Sequence, residues 1–360
     1  MRTFFILPRR ITFVNAFCKR KPEILCKRKP EILRLDAGGA ECYAHGAGKT
    51  AFFVISEKGG LGLRKRLAAL ALLALCLTPR AGLARETVEA DFEAGRWFYE
   101  DTERGVSIEI MRHEDTENRV LWYEADLVCG EDSPLRFLTA NEDAPGRGFW
   151  YPERLAREKR AVFAINDDQF GHRVYNHDTV GVIVRGGEVL SERTRKSGSK
   201  GWPPLDTAAF FPDGSMRVFE SAEHTGEEYV QMGAETVLAF GPWLVRGGEI
   251  NPALETSYRT KEPRTAIGMI EPYHYVALFV EGRVKRSGGV PVEWLAERMA
   301  QLGATEAINL DGGKTSCLLF MGTKISVSNP DGRVRDGRSV SGLIGLGESD
   351  LVPEWTGLDK

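Results

Sequence analysis

The clearest indication of the architecture is the segment Pro291-Val-Glu-Trp-Leu-Ala-Glu-Arg-Met-Ala-Gln-Leu302. It is followed by Gly303 and the apolar run Ala307-Ile-Asn-Leu310. Its apolar residues recur at the spacing of one helix face, and Gly303 suits a C-terminal cap. Another apolar run, Tyr275–Val280, precedes the helix, so the order is strand, helix, strand. Such a crossover predicts that the two strands are parallel and neighbouring.

Most of the remaining chain shows the patterns of strands and hairpins. Val106–Met111 and Val120–Leu127 alternate apolar and polar residues, as half-buried strands do. Arg185-Gly-Gly187 and Pro212-Asp-Gly-Ser215 separate short apolar runs and predict hairpin turns. Ala161–Ile165 is continuously apolar and predicts a strand buried on both faces. We therefore predict a mixed α/β (α+β), β-rich single domain with a strand-helix-strand crossover near its C-terminal end.

The basic charge of the chain is concentrated at its N-terminal end. Residues 1–84 hold 16 of the 48 Lys and Arg residues but only 5 of the 51 Asp and Glu residues. Residues 85–360 keep 32 basic and 46 acidic side chains and thus a net charge of −14. An acidic body repels a phosphate backbone, so we expect no nucleic-acid partner, although one local cationic pocket is compatible with this charge.

A short segment in this basic region has the order of a secretory signal. Arg64-Lys-Arg66 precedes the apolar run Leu67–Leu77, and small residues follow up to Ala84. The run is too short to cross a bilayer as a helix, which takes about 20 residues. We predict a signal peptide at residues 63–84, cleaved near Ala84. The domain at residues 85–360 is then exported (periplasmic, cell-envelope or extracellular) and has no membrane span in the mature chain.

Residues 1–62 form a doubtful N-terminal extension. The segment Cys18–Leu25 is repeated without change as Cys26–Leu33, and it lacks the apolar periodicity of a structural repeat. Gly46-Ala-Gly-Lys-Thr50 lacks the first glycine that a phosphate-binding loop requires. We expect that this extension is either not translated or disordered.

Polar residues follow two of the buried apolar runs. Asn309 and Asp311 lie on the same side of a strand end, and the two glycines after Asp311 allow backbone N–H groups to approach a ligand. The alternative is a tight turn in which Asp311 caps its own backbone. Asn166-Asp-Asp-Gln-Phe170 follows the other run. Two adjacent carboxylates can shift each other's pKa and supply an acid or a base.

Two further segments carry candidate binding residues. Arg264-Thr-Ala-Ile-Gly268 places an arginine at the start of an apolar strand. It suits a bidentate contact with a phosphate or carboxylate ligand, and the alternative is a surface ion pair with Glu262 or another carboxylate. Phe240-Gly-Pro-Trp243 predicts a turn whose tryptophan either stacks on a sugar ring or packs in the core. Cys129 and Cys317 are the cysteines that follow the predicted signal peptide. The sequence is compatible with a disulfide between them and with buried free thiols.

These four segments, in this order, resemble the phosphodiester glycosidase domain family over about Thr87–Gly347. The most specific motif is Asn309-Leu-Asp-Gly-Gly313 after an amphipathic helix. Gly241-Pro242, the segment that begins at Arg264 and the closing Arg338-Ser-Val-Ser-Gly-Leu-Ile344 support the resemblance.

The chain departs from the family pattern at two places. The family has Asn followed by Gly-Gly or Ala-Gly and aromatic residues where this chain has Asn166-Asp-Asp-Gln-Phe170. It has a third Gly and a Ser where this chain has Lys314 and Thr315. The pocket is therefore expected to differ from that of the family.

The resemblance implies hydrolysis of the bond between the anomeric carbon of a sugar, such as N-acetylglucosamine, and a phosphodiester oxygen. It makes Asp311 the carboxylate that orients water or stabilises the sugar cation, and Asp168 a second acid or base. Arg264 is then the contact for the phosphate, and Lys314 adds charge there. The full set of implied substrate-binding residues is Asn166, Asn309, Arg264, Gly312, Gly313, Lys314 and Thr315.

No cofactor is certain. A divalent cation held by Asp167, Asp168 and Asp311 is a further expectation, because hard cations favour oxygen ligands. The expected partner is a sugar-phosphate or glycan substrate. Two other functions stay open, namely a non-catalytic cell-envelope or glycan-binding protein with the same fold and a hydrolase of other phosphodiesters.

Overall fold

The computed structural model of the chain describes residues 85–177, 181–192, 205–254, 260–325 and 338–357, together with strands in residues 1–57. The chain divides into two compact units, Met1–Leu83 and Ala84–Lys360. The predicted signal segment, residues 63–84, lies outside the described residues, so its cleavage stays a prediction.

The N-terminal unit contains a sheet of short strands. They are β1 (Arg2–Ile6), β2 (Thr12–Val14), β3 (Leu33–Asp36), β4 (Ala40–Gly46) and β5 (Ala51–Glu57). They pair in the order β2-β1-β5-β4-β3, and every pair is antiparallel. The prediction that residues 1–62 are a doubtful extension of the protein is not tested by this sheet.

The second unit is rich in strands. They are, in chain order, β6 (Glu86–Asp91), β7 (Arg96–Asp101), β8 (Val106–Asp115), β9 (Val120–Val128), β10 (Arg136–Thr139), β11 (Ala161–Asn166), β12 (Ile183–Arg185), β13 (Glu188–Ser191), β14 (Asp206–Phe210), β15 (Met216–Phe219), β16 (Thr236–Phe240), β17 (Trp243–Arg246), β18 (Glu249–Ile250), β19 (Arg264–Glu271), β20 (His274–Val280), β21 (Glu306–Asn309), β22 (Leu318–Phe320), β23 (Thr323–Lys324) and β24 (Gly342–Glu348). The helices of its described part are α1 (Pro152–Glu158), α2 (Phe170–Tyr175), α3 (Gly226–Gln231) and α4 (Val292–Gln301).

These strands form three sheets. A nine-stranded sheet has the order β18-β17-β21-β19-β20-β9-β8-β7-β6, and two five-stranded sheets have the orders β10-β24-β11-β22-β23 and β13-β12-β16-β14-β15. The chain is therefore a β-rich α+β protein, as its patterns predict.

The crossover through α4 is present, but its strands are not neighbours. Strand β19 pairs antiparallel with β20 on one side and with β21 on the other. Strands β20 and β21 are therefore parallel to each other with β19 between them, and the prediction that they pair directly is wrong. The hairpin of β19 and β20 precedes α4 in the sequence. The connection through α4 therefore crosses β19 before the chain enters β21.

The nine-stranded sheet is buried on both faces at its centre. Successive residues of a strand point to opposite faces, so Ile267 and Phe279 face the main core while Ala266 and Leu278 face the layer of α4. The main core also takes side chains from both five-stranded sheets, including Phe163 of β11. Strand β11 is buried along its whole length, which confirms the interpretation of its apolar run.

Two sequence features resolve simply within this fold. Cys129 and Cys317 are free, buried thiols that belong to different core clusters. Among the described residues, no helix has both the length and the apolar character that a membrane crossing requires.

Candidate active site

Three strand ends meet at one edge of the fold. Because β19 runs antiparallel to β21, the first residues of β19 lie beside the last residues of β21, and Ala266 pairs with Asn309. The Leu310 N–H donates to the Thr265 carbonyl over 2.8 Å and continues this pairing beyond the strand. The end of β11 joins them through the side chain of Asn166, so residues distant in the chain share one site.

Asn166 connects these three strand ends from a fully buried position. Its Nδ2 donates to the Asp311 carbonyl over 2.8 Å, and its Oδ1 accepts from the Thr265 hydroxyl over 2.9 Å and the Cys317 N–H over 3.0 Å. The amide atoms of Asn166 are thus bound inside the protein. This geometry makes Asn166 a positioning residue that holds the main chain of Asp311.

A pocket of about 490 Å³ opens where the loop after β21 passes the start of β19. A cavity of this size falls in the range of small-molecule sites. Its lining residues are Phe240, Glu262, Pro263, Arg264, Arg283, Gly312, Gly313, Lys314 and Arg338. The structure therefore brings four of the predicted substrate-binding residues together, namely Arg264, Gly312, Gly313 and Lys314.

The two glycines of this loop are required by its close packing. A Cβ on Gly312 would lie 2.8 Å from the Pro263 carbonyl oxygen, which is too close for any other residue. Gly313 has a φ of 65° and donates its N–H to the same carbonyl over 3.1 Å. The glycines hold the loop against Pro263 and leave the pocket open above it.

Asp311 lies directly before the lining residue Gly312 and is 8% exposed. Burial raises the pKa of its carboxyl to about 6, although Thr315 and Arg338 partly offset the effect. Its Oδ2 has no hydrogen-bond partner in the described part of the chain. The carboxyl thus titrates close to neutral pH, and its buried Oδ2 is left unpaired among the described residues.

Cationic side chains surround this pocket. Arg264 donates from Nε to the Val290 carbonyl and from Nη2 to the Thr260 carbonyl, which fixes its guanidinium without neutralising it. Glu262 pairs with Arg283 over 2.5 Å, whereas its charge and that of Glu293 act on Arg264 without a direct ion pair among the described residues. Lining by four cations and one carboxylate favours an anionic ligand.

Two other predicted substrate-binding residues lie behind the pocket wall. Asn309 is 2% exposed and donates from Nδ2 to the Gly241 carbonyl, while its Oδ1 finds no partner among the described residues. Thr315 is buried, and its hydroxyl accepts from Nη1 of Arg338 over 3.2 Å. Thr315 therefore positions Arg338 at the pocket.

Asp168 lies apart from this pocket in a buried ion cluster. Its Oδ1 accepts from Nη2 of Arg185 over 2.9 Å, and its Oδ2 lies 3.4 Å from Nη2 of Arg173 and accepts the Ala239 N–H. Burial alone would raise the pKa of Asp168, but Arg185 and Arg173 outweigh it and hold the pKa below the usual value. This geometry fits a structural ion cluster better than a second catalytic acid.

The neighbouring Asp167 has the opposite electrostatic character. It lines a small second cavity beside Arg185, Ser341 and Gly342. Burial, followed by the charge of Asp168, raises the pKa of Asp167 to about 7. The Asp311 N–H donates weakly to the Asp167 carbonyl over 3.4 Å, so the two segments touch through their main chains. The sequence does not indicate which of the two adjacent aspartates has the raised pKa and which has the lowered pKa.

Other residues that line the pocket were not predicted as binding residues. Arg338 opens the closing motif, so its position was a usable signal, whereas Arg283 follows β20 without any motif. Phe240 lines the pocket, while Trp243 packs against the main core and not in the pocket. The aromatic side chain of the pocket wall therefore lies three residues before the predicted stacking residue.

The described residues contain no group of three or more His, Cys, Asp or Glu side chains arranged to hold a metal ion. Both oxygens of Asp168 already have partners, and Asp167 and Asp311 are joined through main-chain atoms. The expected divalent cation stays a prediction without a cluster to carry it.

Comparison with known proteins agrees with the motif pattern. The family model for phosphodiester glycosidases matches residues 159–346, which include the pocket and both strand-end segments. The SPbeta prophage-derived uncharacterized protein YomE of Bacillus subtilis (strain 168) is 30% identical over 165 residues, which is 45% of this chain and 24% of YomE. This chain thus spans about a quarter of that relative's length.

A solved structure shares the fold. The zebrafish N-acetylglucosamine-1-phosphodiester alpha-N-acetylglucosaminidase catalytic domain, auto-inhibited by its pro-peptide, superimposes with a TM-score of 0.51 and 17% sequence identity. The match covers 74% of this chain and 90% of the zebrafish chain. At this identity the likeness concerns the fold alone.

Proposed function

The chain belongs to the phosphodiester glycosidase family, and we propose that it hydrolyses the bond between the anomeric carbon of a sugar and a phosphodiester oxygen. The sugar is N-acetylglucosamine or a close analogue, which the name of the zebrafish enzyme supports. One observation carries the proposal, namely a cation-lined pocket directly beside Asp311, whose pKa of about 6 suits proton transfer near neutral pH.

The reaction needs a base for water and a cationic environment for the leaving group. In the proposed step, the Asp311 carboxylate accepts a proton from water as the water oxygen attacks the anomeric carbon. The bond from this carbon to the phosphate oxygen breaks, and its electron pair stays on the phosphate. The phosphate gains one negative charge, which Arg264 and Lys314 are positioned to stabilise. Asp311 then returns its proton to solvent.

The direct test is hydrolysis by the purified full chain. UDP-N-acetylglucosamine and the methyl diester of N-acetylglucosamine-1-phosphate serve as substrates, and released sugar is measured. We expect Asp311→Asn to lower kcat by about 10²- to 10⁴-fold, the range for removal of a general base. Asp126→Asn is the matched control, since Asp126 is exposed and pairs with His274 away from the pocket.

The pH profile gives an independent readout of the same carboxyl. Because Asp311 acts as its carboxylate, kcat should rise with pH and level off above its pKa of about 6. Asp311→Asn should lose this rising limb. A wild-type rate that falls as pH rises through 6 would instead make Asp311 an acid and reject the proposed role.

Two other outcomes would replace the proposal. Tight glycan binding without release of sugar would indicate a binding protein of this fold. Hydrolysis of bis(p-nitrophenyl) phosphate, which has no sugar, at a rate above that of both sugar substrates would indicate a hydrolase of other phosphodiesters.

We further propose that the chain is exported after cleavage near Ala84. The support is the order of basic, apolar and small residues that ends there. Expression of the full chain in a bacterial host and N-terminal sequencing of the secreted or periplasmic product test this. A product that begins at Met1 in the cytoplasmic fraction would overturn it.

A further inference from the structure

The pocket beside Asp311 has lining residues of two different kinds. Charged residues make up most of its lining, and Pro263, Gly312 and Gly313 contribute no charge and no ring. In the part of the chain that the structure describes, Phe240 is the aromatic residue of this lining. Its side chain is half-buried, so part of the ring stays accessible. An accessible ring among charged side chains offers a contact that a phosphate does not need.

The main chain holds Phe240 in place at the end of β16. Phe240 pairs with Asp206 of β14, and the Asp206 carboxylate accepts the Trp243 N–H over 2.9 Å on the other side of the turn. Within the turn, the Gly241 N–H donates to the Asn309 carbonyl over 3.0 Å, and Nδ2 of Asn309 donates to the Gly241 carbonyl over 2.8 Å. Phe240 is therefore fixed beside the end of β21.

The loop after β21 is anchored at two points. At its start, Asn309 is bound to the turn after β16. Further along, the Gly313 N–H donates to the Pro263 carbonyl over 3.1 Å. Asp311 lies halfway between Asn309 and Gly313 in the chain. The carboxyl-bearing residue is thus held between the two anchors.

The two anchors bring different side chains to the pocket. Phe240 directly precedes the turn of the first anchor, whereas Arg264 and Lys314 directly follow the two residues of the second. The anchors, and with them Phe240 and these cations, lie on either side of Asp311. This order matches a substrate whose anomeric carbon lies between a sugar ring and a phosphate.

An unpaired acceptor lies at the aromatic end of this arrangement. Asn309 is 2% exposed, and its Oδ1 has no hydrogen-bond partner among the described residues. Buried polar atoms in proteins are nearly always paired, so an unpaired acceptor beside a pocket suits a donor group of a ligand. The hydroxyl and acetamido N–H groups of a sugar are such donors, whereas an ionised phosphodiester has none.

We propose that Phe240 forms the sugar-binding subsite of this pocket, where the sugar ring stacks on its face with the anomeric carbon at Asp311 and the phosphate toward Arg264 and Lys314. The inference rests on the proposed function and names the part of the pocket that recognises the sugar. The face of an aromatic ring carries partial negative charge, which attracts the C–H groups of a sugar ring. It repels phosphate oxygens, so the substrate has one preferred orientation.

Two stable probes, each with one half of the substrate, test the inference without catalysis. Methyl α-N-acetylglucosaminide has the sugar and no phosphate, and dimethyl phosphate has the phosphate and no sugar. The Kd of each for the full chain is measured by NMR titration at low salt. Phe240→Leu should weaken binding of the glucosaminide about tenfold and leave that of dimethyl phosphate unchanged, because leucine keeps an apolar side chain but has no ring. Lys314→Gln should have the reverse effect.

Two further variants serve as controls. Phe240→Tyr keeps the ring and should keep the affinity for the glucosaminide. Phe149→Leu makes the same change at an exposed phenylalanine outside the pocket lining and should alter neither Kd. Weaker binding of both probes by Phe240→Leu would indicate a structural effect, and unchanged binding of both would show that the ring does not contact the sugar. Either result would overturn the inference.

Ring currents give a readout that does not depend on a variant. Protons held over the face of an aromatic ring move upfield in the NMR spectrum. We therefore expect C–H protons on one face of the glucosaminide to shift upfield when it binds the wild-type chain. Binding without an upfield shift would contradict the stacking, even if Phe240→Leu failed to fold. A chain that binds dimethyl phosphate but not the glucosaminide would contradict it as well.

Kinetics separate the inference from the proposed function. For the methyl diester of N-acetylglucosamine-1-phosphate, Phe240→Leu should lower kcat/KM about tenfold, mainly through a higher KM, whereas Asp311→Asn should lower kcat. Unchanged kcat/KM in Phe240→Leu rejects the inference and leaves the proposed function standing. No hydrolysis by the wild-type chain rejects the proposed function, and the probe titrations then decide whether Phe240 binds the sugar.

Discussion

Two segments of this protein look alike in sequence but differ in structure. Asn166-Asp-Asp-Gln169 and Asn309-Leu-Asp-Gly312 both follow buried apolar runs and both place aspartate near the end of a strand. Asp168 turns into the protein and binds Arg173 and Arg185. Asp311 lies next to an open, cation-lined pocket, and its buried Oδ2 has no hydrogen-bond partner among the described residues.

The partners of a buried carboxylate thus set its pKa and its role. Two arginines stabilise ionised Asp168 and lower its pKa, while burial with weaker compensation raises the pKa of Asp311 to about 6. We therefore expect Asp168 to matter for stability and Asp311 to matter for activity. Substitutions of residues in the two segments test this contrast.

The largest loss of stability is expected for Asp168→Asn. The substitution leaves the buried guanidinium of Arg173 and the partly buried one of Arg185 without their carboxylate, which costs about 3–5 kcal/mol. Urea unfolding at pH 7 measures the loss. The exposed control Asp126→Asn should cost less than about 1 kcal/mol. A loss equal to that of the control would mean that the arginines find other partners.

Asp311→Asn should change stability in the opposite direction, and only above a certain pH. The folded carboxyl has a pKa of about 6, above the value of 3.8 for an unperturbed aspartate, so its contribution is fully present below about pH 4 and is lost as pH rises through 6. Asparagine does not ionise and avoids this loss. We expect the variant to gain about 3 kcal/mol over wild type at pH 8 and nothing at pH 4.

Urea unfolding of both proteins from pH 4 to pH 8 measures this gain. The difference between wild type and variant isolates Asp311, because Asp167 titrates in both proteins. A difference that stays constant over this pH range would contradict the raised pKa of Asp311.

Asn166→Ala tests the contact between the two segments, because Asn166 binds the main chain of Asp311. The substitution leaves the Asp311 carbonyl, the Thr265 hydroxyl and the Cys317 N–H without their buried partner, and we expect a loss of about 1–3 kcal/mol. The activity should fall as well, since the main chain of Asp311 loses its anchor. Asn118→Ala, at an exposed turn where Asn118 bonds Asp115, is the control. Unchanged kcat in a destabilised Asn166→Ala protein would contradict the positioning role.

Lys314→Gln should have the smallest effect on stability. Lys314 is exposed, and its substitution should change the free energy of unfolding by no more than about 0.5 kcal/mol. The KM for a phosphate-linked substrate should increase in the same variant. A loss of stability above about 1 kcal/mol, seen in the same urea experiment, would indicate that Lys314 has a structural partner.

The sequence predicted the fold class well because the relevant signals are local. The helix after Pro291 begins and ends within one residue of the predicted bounds, and the apolar run from Ala161 forms a fully buried strand. The order of strands was less accessible. Direct pairing of β20 with β21 was predicted, but β19 lies between them. Hydrophobic periodicity identifies a strand but does not show which other strand pairs with it.

The candidate site was predictable in part for the same reason. Gly312 and Lys314 were found because they adjoin a recognisable strand end, and both line the pocket. Arg283 was missed because it enters the pocket from the end of another strand with no motif to mark it. The catalytic assignment of Asp168 rested on its neighbour Asp167, and its distant partner Arg185 was not visible in the local sequence.

The amino-acid pattern was sufficient to predict the β-rich α+β class, the helix after Pro291, the acidic charge of residues 85–360, and a glycine loop that permits close backbone approach. These properties follow from side-chain periodicity, composition and local steric limits. Only the folded chain shows that Asp168 forms ion pairs with arginines and which cations line the same pocket. Such properties depend on distances between residues far apart in the chain, since burial and charge act through space.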